Sequence, residues 1–417
     1  MPSVLTGCAA AGGVGARHAP CWEVADIFRH YGDAYRHAHP MPPAHQKVRH
    51  DIVACRTAQL GGHAEQCPHC GFERYAYNSC RNRHCPKCQV LTKAQWLADR
   101  KAALLPVPYF HTVVTLPHDL NPLILGNKRT LLTLLFQATR HTLLQCGRQN
   151  LGGQLGCTMV LHTWDQTLGL HVHLHCLVAA GALASDGTRW NPTHPRLLFP
   201  VQALSTVLRG KFLDALHQTY ATGALTCTED TADLDTPAGF VRLLDQLYNK
   251  AWVVYAKRPF AGPEQVLDSV GRSTHRVAIS NQRLVEVHDG QVRFTSRNRR
   301  QGNRGQTMPL EAHECIRRFL LHVFPHGCMR LRHAGCLANR CKARALHQCR
   351  QLLGQPPDPP QREKKSAAEW MRQLTGIDMT QCPRCGHGPL ARMPLCPLTP
   401  PAVRQGDLSP PPRFDSS

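Results

Sequence analysis

The chain has 417 residues, with 49 Lys and Arg against 28 Asp and Glu and a net charge of +21. That length exceeds what one hydrophobic core usually fills, so more than one folding unit is expected, and a positive excess of this size calls for a polyanion such as nucleic acid to neutralise it. Twenty cysteines beside 26 histidines, gathered in Cys-x-x-Cys pairs, argue against a secreted disulfide scaffold and for metal sites in a reducing compartment, the cytoplasm. The first twenty residues lack the basic and apolar regions of a secretory signal, and no apolar run reaches the roughly 18 residues of a membrane span.

Residues 1–21 are expected to be disordered. A helical lead-in follows over 22–58, with Val24, Ile27, Phe28 and Tyr31 on one face and later Val48, Ile52 and Val53. Residues 55–90 are dense in Cys, His and Arg and poor in aliphatic side chains, so this segment needs metal in place of a core; the module spans 22–92. Strands are expected at Tyr109 to Pro117, Gly156 to Trp164 and Leu170 to Ala180, around a Leu-rich helix at 128–147. Helices follow at 200–221, 237–256 and 264–274, then strands at Arg276 to Ser280, Arg283 to Val287 and Gln291 to Thr295, the last two joined by an Asp289-Gly290 turn. Ser296 to Arg304 reads as a flexible basic loop suited to phosphates through Arg297, Arg299, Arg300 and Arg304. A helix over Ile316 to Val323 closes an α+β unit at 105–325. A basic, Cys-rich region (326–393) and a Pro-rich tail (394–417) complete the chain.

Cys67-Pro-His-Cys70 and Cys85-Pro-Lys-Cys88 are two knuckles separated by fourteen residues, a spacing at which four thiolates converge tetrahedrally on one structural zinc ion. Cys55, His63, Cys80 and His84 around them offer the ligands of a second, interleaved site. Cys382-Pro-Arg-Cys385, near His387 and Cys396, offers a third knuckle. Among the first ligands stand Arg74, Tyr75, Tyr77, Asn78, Arg81, Asn82, Arg83 and Lys87, the mix of cations and planar groups that holds phosphates and stacks bases; Arg81, Arg83 and Lys87 are the cations expected on DNA.

In Leu170-His171-Val172-His173-Leu174-His175-Cys176 a strand's period of two sets three imidazoles on one face and apolar side chains on the other, a platform for a divalent metal. With the run Asn78 to Cys88, with Tyr109-Phe110-His111, Thr115-Leu116-Pro117-His118, Leu161-His162-Thr163-Trp164, Tyr255-Ala256-Lys257, Gly262 to Leu267, Thr274 to Asn281 and Leu337 to Cys341, this strand resembles the rolling-circle transposases of the HUH (His-hydrophobe-His), two-tyrosine class, which carry an N-terminal zinc-binding domain.

The resemblance implies a bacterial, nucleoid-associated protein with an HUH-type antiparallel sheet flanked by helices. It acts on single-stranded DNA ends of a mobile element: tyrosine attack on a phosphodiester is assisted by Mg²⁺ or Mn²⁺ on histidines. His173 and His175 match those ligands, with His171 an additional imidazole; Gln166 and His275 stand as candidates for the third position. The family's tyrosines lie four residues apart before Thr-His-Arg, where this chain has Ser269 and Ser273, so impaired catalysis is expected. Tyr248 and Tyr255 lie upstream. A non-catalytic zinc-dependent DNA-binding protein or repressor is the alternative.

Overall fold

The computed structural model describes residues 21–194, 198–257, 278–298, 302, 304–357 and 365–397. The chain opens with helices α1 (Val24–Ala38) and α2 (Pro43–Ala54), strands β1 (Gly62–Gln66) and β2 (Glu73–Tyr77), and helix α3 (Gln89–Ala102). Strand β3 (Tyr109–Thr115), helices α4 (Asn121–Gly126) and α5 (Lys128–Leu151), and strands β4 (Gly153–Trp164), β5 (Leu170–Ala184) and β6 (Trp190–Pro192) follow. Helices α6 (Val201–Ala221) and α7 (Pro237–Asn249) lead to strands β7 (Val254–Lys257), β8 (Leu284–His288), β9 (Gln291–Asn298) and β10 (Arg304–Glu311). Helix α8 (Ala312–Leu321), strand β11 (Leu331–Gly335), helices α9 (Lys342–Leu352) and α10 (Ala367–Thr375) and strand β12 (Ala391–Leu395) end the described chain.

The principal sheet runs β11-β4-β5-β3-β7, antiparallel throughout, with β6 paired to the far end of β5. The two faces of β5 part as the alternation requires. Val172, Leu174 and Cys176 are buried with Leu131, Leu135 and Phe136 of α5 and Leu208 and Phe212 of α6, whereas His171, His173 and His175 are only partly covered. Farther along the histidine face, Leu177 and Ala179 are buried with Leu346 and Cys349 of α9, against Trp96 and Leu97 of α3. Helices thus close one end of that face, and the histidine end is only partly covered. At the β11 edge Gly335 has φ +65, and a Cβ there would meet the Leu155 carbonyl oxygen at 1.6 Å, so only glycine lets β11 approach β4 at its bulge.

A second sheet, β10-β9-β8, shares a core with α1 and α8, in which Phe28 meets Phe319 edge to face at 5.5 Å. Asp289 and Gly290 both have positive φ in the turn between β8 and β9. The third sheet, β12-β1-β2, joins the two ends of the described chain.

Several expectations change here. The helix expected to 256 ends at Asn249, and the β-branched Val253-Val254 run continues as an edge strand on β3. The basic loop is narrower than its sequence suggested, because β9 extends to Asn298 and β10 begins at Arg304, directly opposite. From the region expected at 326–393, β11 joins the principal sheet and β12 the N-terminal one. Strands β1 and β2 went unforeseen, since a Cys-rich segment carries little apolar alternation. The helix at 264–274, the first residues of the strand expected from Arg276, residues 1–20 and residues 398–417 lie outside the described residues, while the tail expected from 394 begins inside β12, which runs to Leu395.

Candidate metal centres and nucleic-acid face

His162 stands opposite His173 in the β4–β5 ladder, so both rings point to the same side of the sheet. Potential ligand nitrogens of His162, His173 and His175 all lie within 4.8 Å of one another. The sequence offered His173 and His175 with His171 as an additional imidazole; the structure gathers His162 with His173 and His175. The β4–β5 register slips between His162 and Trp164, and His171 turns instead to His118, Nδ1 to Nε2 at 3.2 Å with the rings stacked. Of the two candidates for the third position, Gln166 lies in the turn after β4, its carbonyl accepting a bond from Arg283 at 2.6 Å, and His275 lies outside the described residues, as do Ser269 and Ser273. His162 went unassigned in the sequence because it sits on a neighbouring strand without the alternating motif; only the strand pairing brings it across.

The centre has support around it. His173 Nδ1 is 2.9 Å from the His171 carbonyl oxygen, and His175 Nδ1 is 2.8 Å from His111 Nε2. Trp164 stacks on His162 at 5.0 Å, and the half-buried Arg330 places its guanidinium 5.3 Å from the Trp164 ring. Burial pushes Arg330 down to about 10. Behind Trp164, the buried His322 receives the Thr163 hydroxyl at Nδ1 and donates Nε2–H to the Leu168 carbonyl at 3.1 Å; burial holds it near 4, hence neutral. Tyr255 stands opposite Val113, and Val113 opposite His175, which puts this half-exposed tyrosine on the histidine face two strands away. Tyr248 lies under the Arg209 guanidinium on α7.

The cysteines sort differently from their order in sequence. Cys55, Cys80, Cys85 and Cys88 form one cluster, and Cys67, Cys70, Cys382 and Cys385 form another, each with sulfurs within 4.8 Å of one another. The expected set of Cys67, Cys70, Cys85 and Cys88 is therefore divided between two clusters. The strands β1 and β2 carry the first knuckle away from the second, which the end of α2 meets through Cys55. In the first cluster the amides of Cys80 and Asn82 approach the sulfurs of Cys55 and Cys80 at 3.5 Å, and Cys88 caps the N-terminus of α3, where the helix dipole favours a thiolate. His63 is not grouped with either cluster; its Nε2 pairs with Glu65 at 3.1 Å. His84 is likewise outside, buried against Phe324 and driven to about 3 by burial and by Arg330 and Arg83.

Of the cations expected on DNA, Arg81, Arg297 and Arg304 are exposed. Arg83 is half-buried, donating to the Cys328 carbonyl at 2.9 Å and so tying the zinc module to its surroundings, and Lys87 pairs with Glu23 at 2.8 Å within the module. Arg299 and Arg300 lie outside the described residues. No helix among the described residues is long and apolar enough to cross a membrane.

A zinc-binding domain built on four-cysteine clusters, joined to an antiparallel sheet with a histidine-lined face, defines a DNA-acting protein of the transposase class. The family model described as "Putative transposase" matches residues 156–345, and that described as "Transposase zinc-binding domain" matches residues 27–116. The chain is 47% identical over 378 residues to "Putative transposase y4qJ" of Sinorhizobium fredii, covering 89% of this chain and 94% of that relative. It is 27% identical over 347 residues to the "Transposase for insertion sequence element IS801" of Pseudomonas savastanoi pv. phaseolicola, covering 80% of each. No solved structure matches. The chain belongs to the IS91/IS801 family of Y2 transposases with an N-terminal zinc-binding domain.

Proposed function

We propose that the chain binds single-stranded ends of a mobile element for rolling-circle transposition, that His162, His173 and His175 hold one Mg²⁺ or Mn²⁺ there, and that strand nicking and joining are impaired by Ser269 and Ser273. The carrying observation is the convergence of three imidazoles from two paired strands on one face, with His162 buried and His173 and His175 partly exposed. The His173 Nδ1–H donates to the His171 carbonyl, which leaves the Nε2 lone pair as the ligand atom. His175 reaches the same state when its Nδ1–H donates to His111. A divalent ion so held supplies Lewis-acid polarisation of a phosphate oxygen. Trp164 braces the His162 ring, and the exposed Arg81, Arg297 and Arg304 offer charge to the DNA backbone. A serine side chain is far shorter than a tyrosine's, so a hydroxyl at 269 or 273 would not reach a phosphate placed for tyrosine. The same substitutions favour the alternative of a non-catalytic, zinc-dependent DNA-binding protein or repressor.

A covalent-adduct assay tests the proposal. The chain as it stands forms no denaturant-resistant adduct with a single-stranded element end in Mg²⁺ or Mn²⁺. Ser269→Tyr with Ser273→Tyr forms one, and adding His173→Ala removes it. An adduct on the unaltered chain would overturn the impairment, and its mapping would begin with Tyr255.

A further inference from the structure

Cys67-Pro-His-Cys70-Gly71 and Cys382-Pro-Arg-Cys385-Gly386 share one pattern at opposite ends of the chain, and they fold alike. The Cys67 amide donates to the Phe72 carbonyl at 2.8 Å and the Cys382 amide to the His387 carbonyl at 2.8 Å, five residues on in each case. The Gly71 amide returns to the Cys67 carbonyl at 3.0 Å, and the Gly386 amide to the Cys382 carbonyl at 2.9 Å. Both glycines are left-handed, with φ +70 and +73, as this tight reversal requires.

The two turns face each other with their sulfurs crossed. Cys67 meets Cys385 at 3.6 Å, and Cys70 meets Cys382 at 3.6 Å. Around them the buried apolar mass is little more than Leu390, with Phe72 packed alongside, which is too little to hold two chain segments together. Four sulfurs gathered from two knuckles make a closed tetrahedral donor set for zinc, with no position left for water. The zinc-domain match ends at residue 116 and contains only half of this set.

We propose that Cys67, Cys70, Cys382 and Cys385 hold a zinc ion of their own, distinct from the one on Cys55, Cys80, Cys85 and Cys88, and that this ion staples the C-terminal segment onto the N-terminal DNA-binding module. The staple keeps β12 beside β1, so the module is complete only once the C-terminal knuckle has been made. Its binding free energy is docking free energy, because neither knuckle presents more than two thiolates alone.

The test is zinc released from the full chain by a mercurial, which reads thiolate-bound metal only. Two equivalents are expected from the unaltered chain and one from the Cys382→Ser/Cys385→Ser variant. A second measurement needs no variant: alkylation of the intact protein during stepwise chelation, read by mass spectrometry. Cys67, Cys70, Cys382 and Cys385 are expected to become reactive as one set, separately from Cys55, Cys80, Cys85 and Cys88. One equivalent in the unaltered chain, two in the variant, or Cys382 and Cys385 reacting while Cys67 and Cys70 stay protected would each overturn the proposal.

Discussion

Arg392 of β12 places its Nε 2.8 Å from Oε1 of Glu65 on β1, a carboxylate only 2% exposed. Glu65 is also bound by Arg74 of β2 and by His63. Burial alone would raise its carboxyl, but the Arg74 hydrogen bond and the two guanidinium charges win and hold it below the usual range. One buried anion thus gathers a guanidinium from each of the two outer strands and an imidazole from its own strand. Arg392→Met should cost about 1 kcal/mol, since that side chain is largely solvated, while Arg74→Met, more deeply placed, should cost about 3 kcal/mol by leaving the charge poorly compensated. Urea unfolding of the zinc-loaded protein measures both; equal losses would refute the ranking.

His111 should act as a positioning residue for the histidine centre. Its contact with His175 Nδ1 selects which nitrogen of His175 faces an ion. His111→Ala is expected to weaken Mn²⁺ binding about 10- to 100-fold, with the unfolding midpoint little changed. Titration calorimetry against Mn²⁺ decides it. Unaltered affinity would assign His111 to packing alone.

Affinity for single-stranded DNA should fall steeply with salt. Each phosphate neutralised by the protein adds about 0.7 to the steepness of log affinity against log salt, so replacing Arg81, Arg297 and Arg304 together with Gln should reduce that steepness by about 2. Arg83→Gln should act mainly on stability, because that guanidinium is spent on the Cys328 carbonyl. Fluorescence anisotropy over a salt series separates the two behaviours.

Acid should weaken the fold through His322. Above pH 7 this ring is neutral whether the chain is folded or not. Below the ordinary histidine pKa of about 6.5 the unfolded chain takes up a proton that the folded chain refuses until the pH nears about 4. Stability is therefore complete above 6.5 and is lost as pH falls toward 4, by about 2 kcal/mol between pH 7 and pH 5 from this group. His322→Gln should lower stability at pH 7 yet flatten that pH dependence by a similar amount. Parallel pH profiles for the two proteins would rule out His322 as the source.

Local patterning was legible wherever it carried its own period. The alternation from Leu170 to Cys176 fixes a strand with histidines on one face, the Asp289-Gly290 pair fixes its turn, and each Cys-x-x-Cys is a knuckle by itself. The resemblance, carried by ordered motifs, reached the family. Tertiary structure decided which local units meet. The β4–β5 register brought His162 to His173, and the turn after β3 brought His118 to His171. The pairing of β12 with β1 carried Cys382 and Cys385 to Cys67 and Cys70, and the end of α2 gave Cys55 to the other knuckle. Sequence spacing ranks nearby ligands first, since closing a long loop costs entropy; once strand pairing has met that cost, distance along the chain no longer determines which sulfurs share a site.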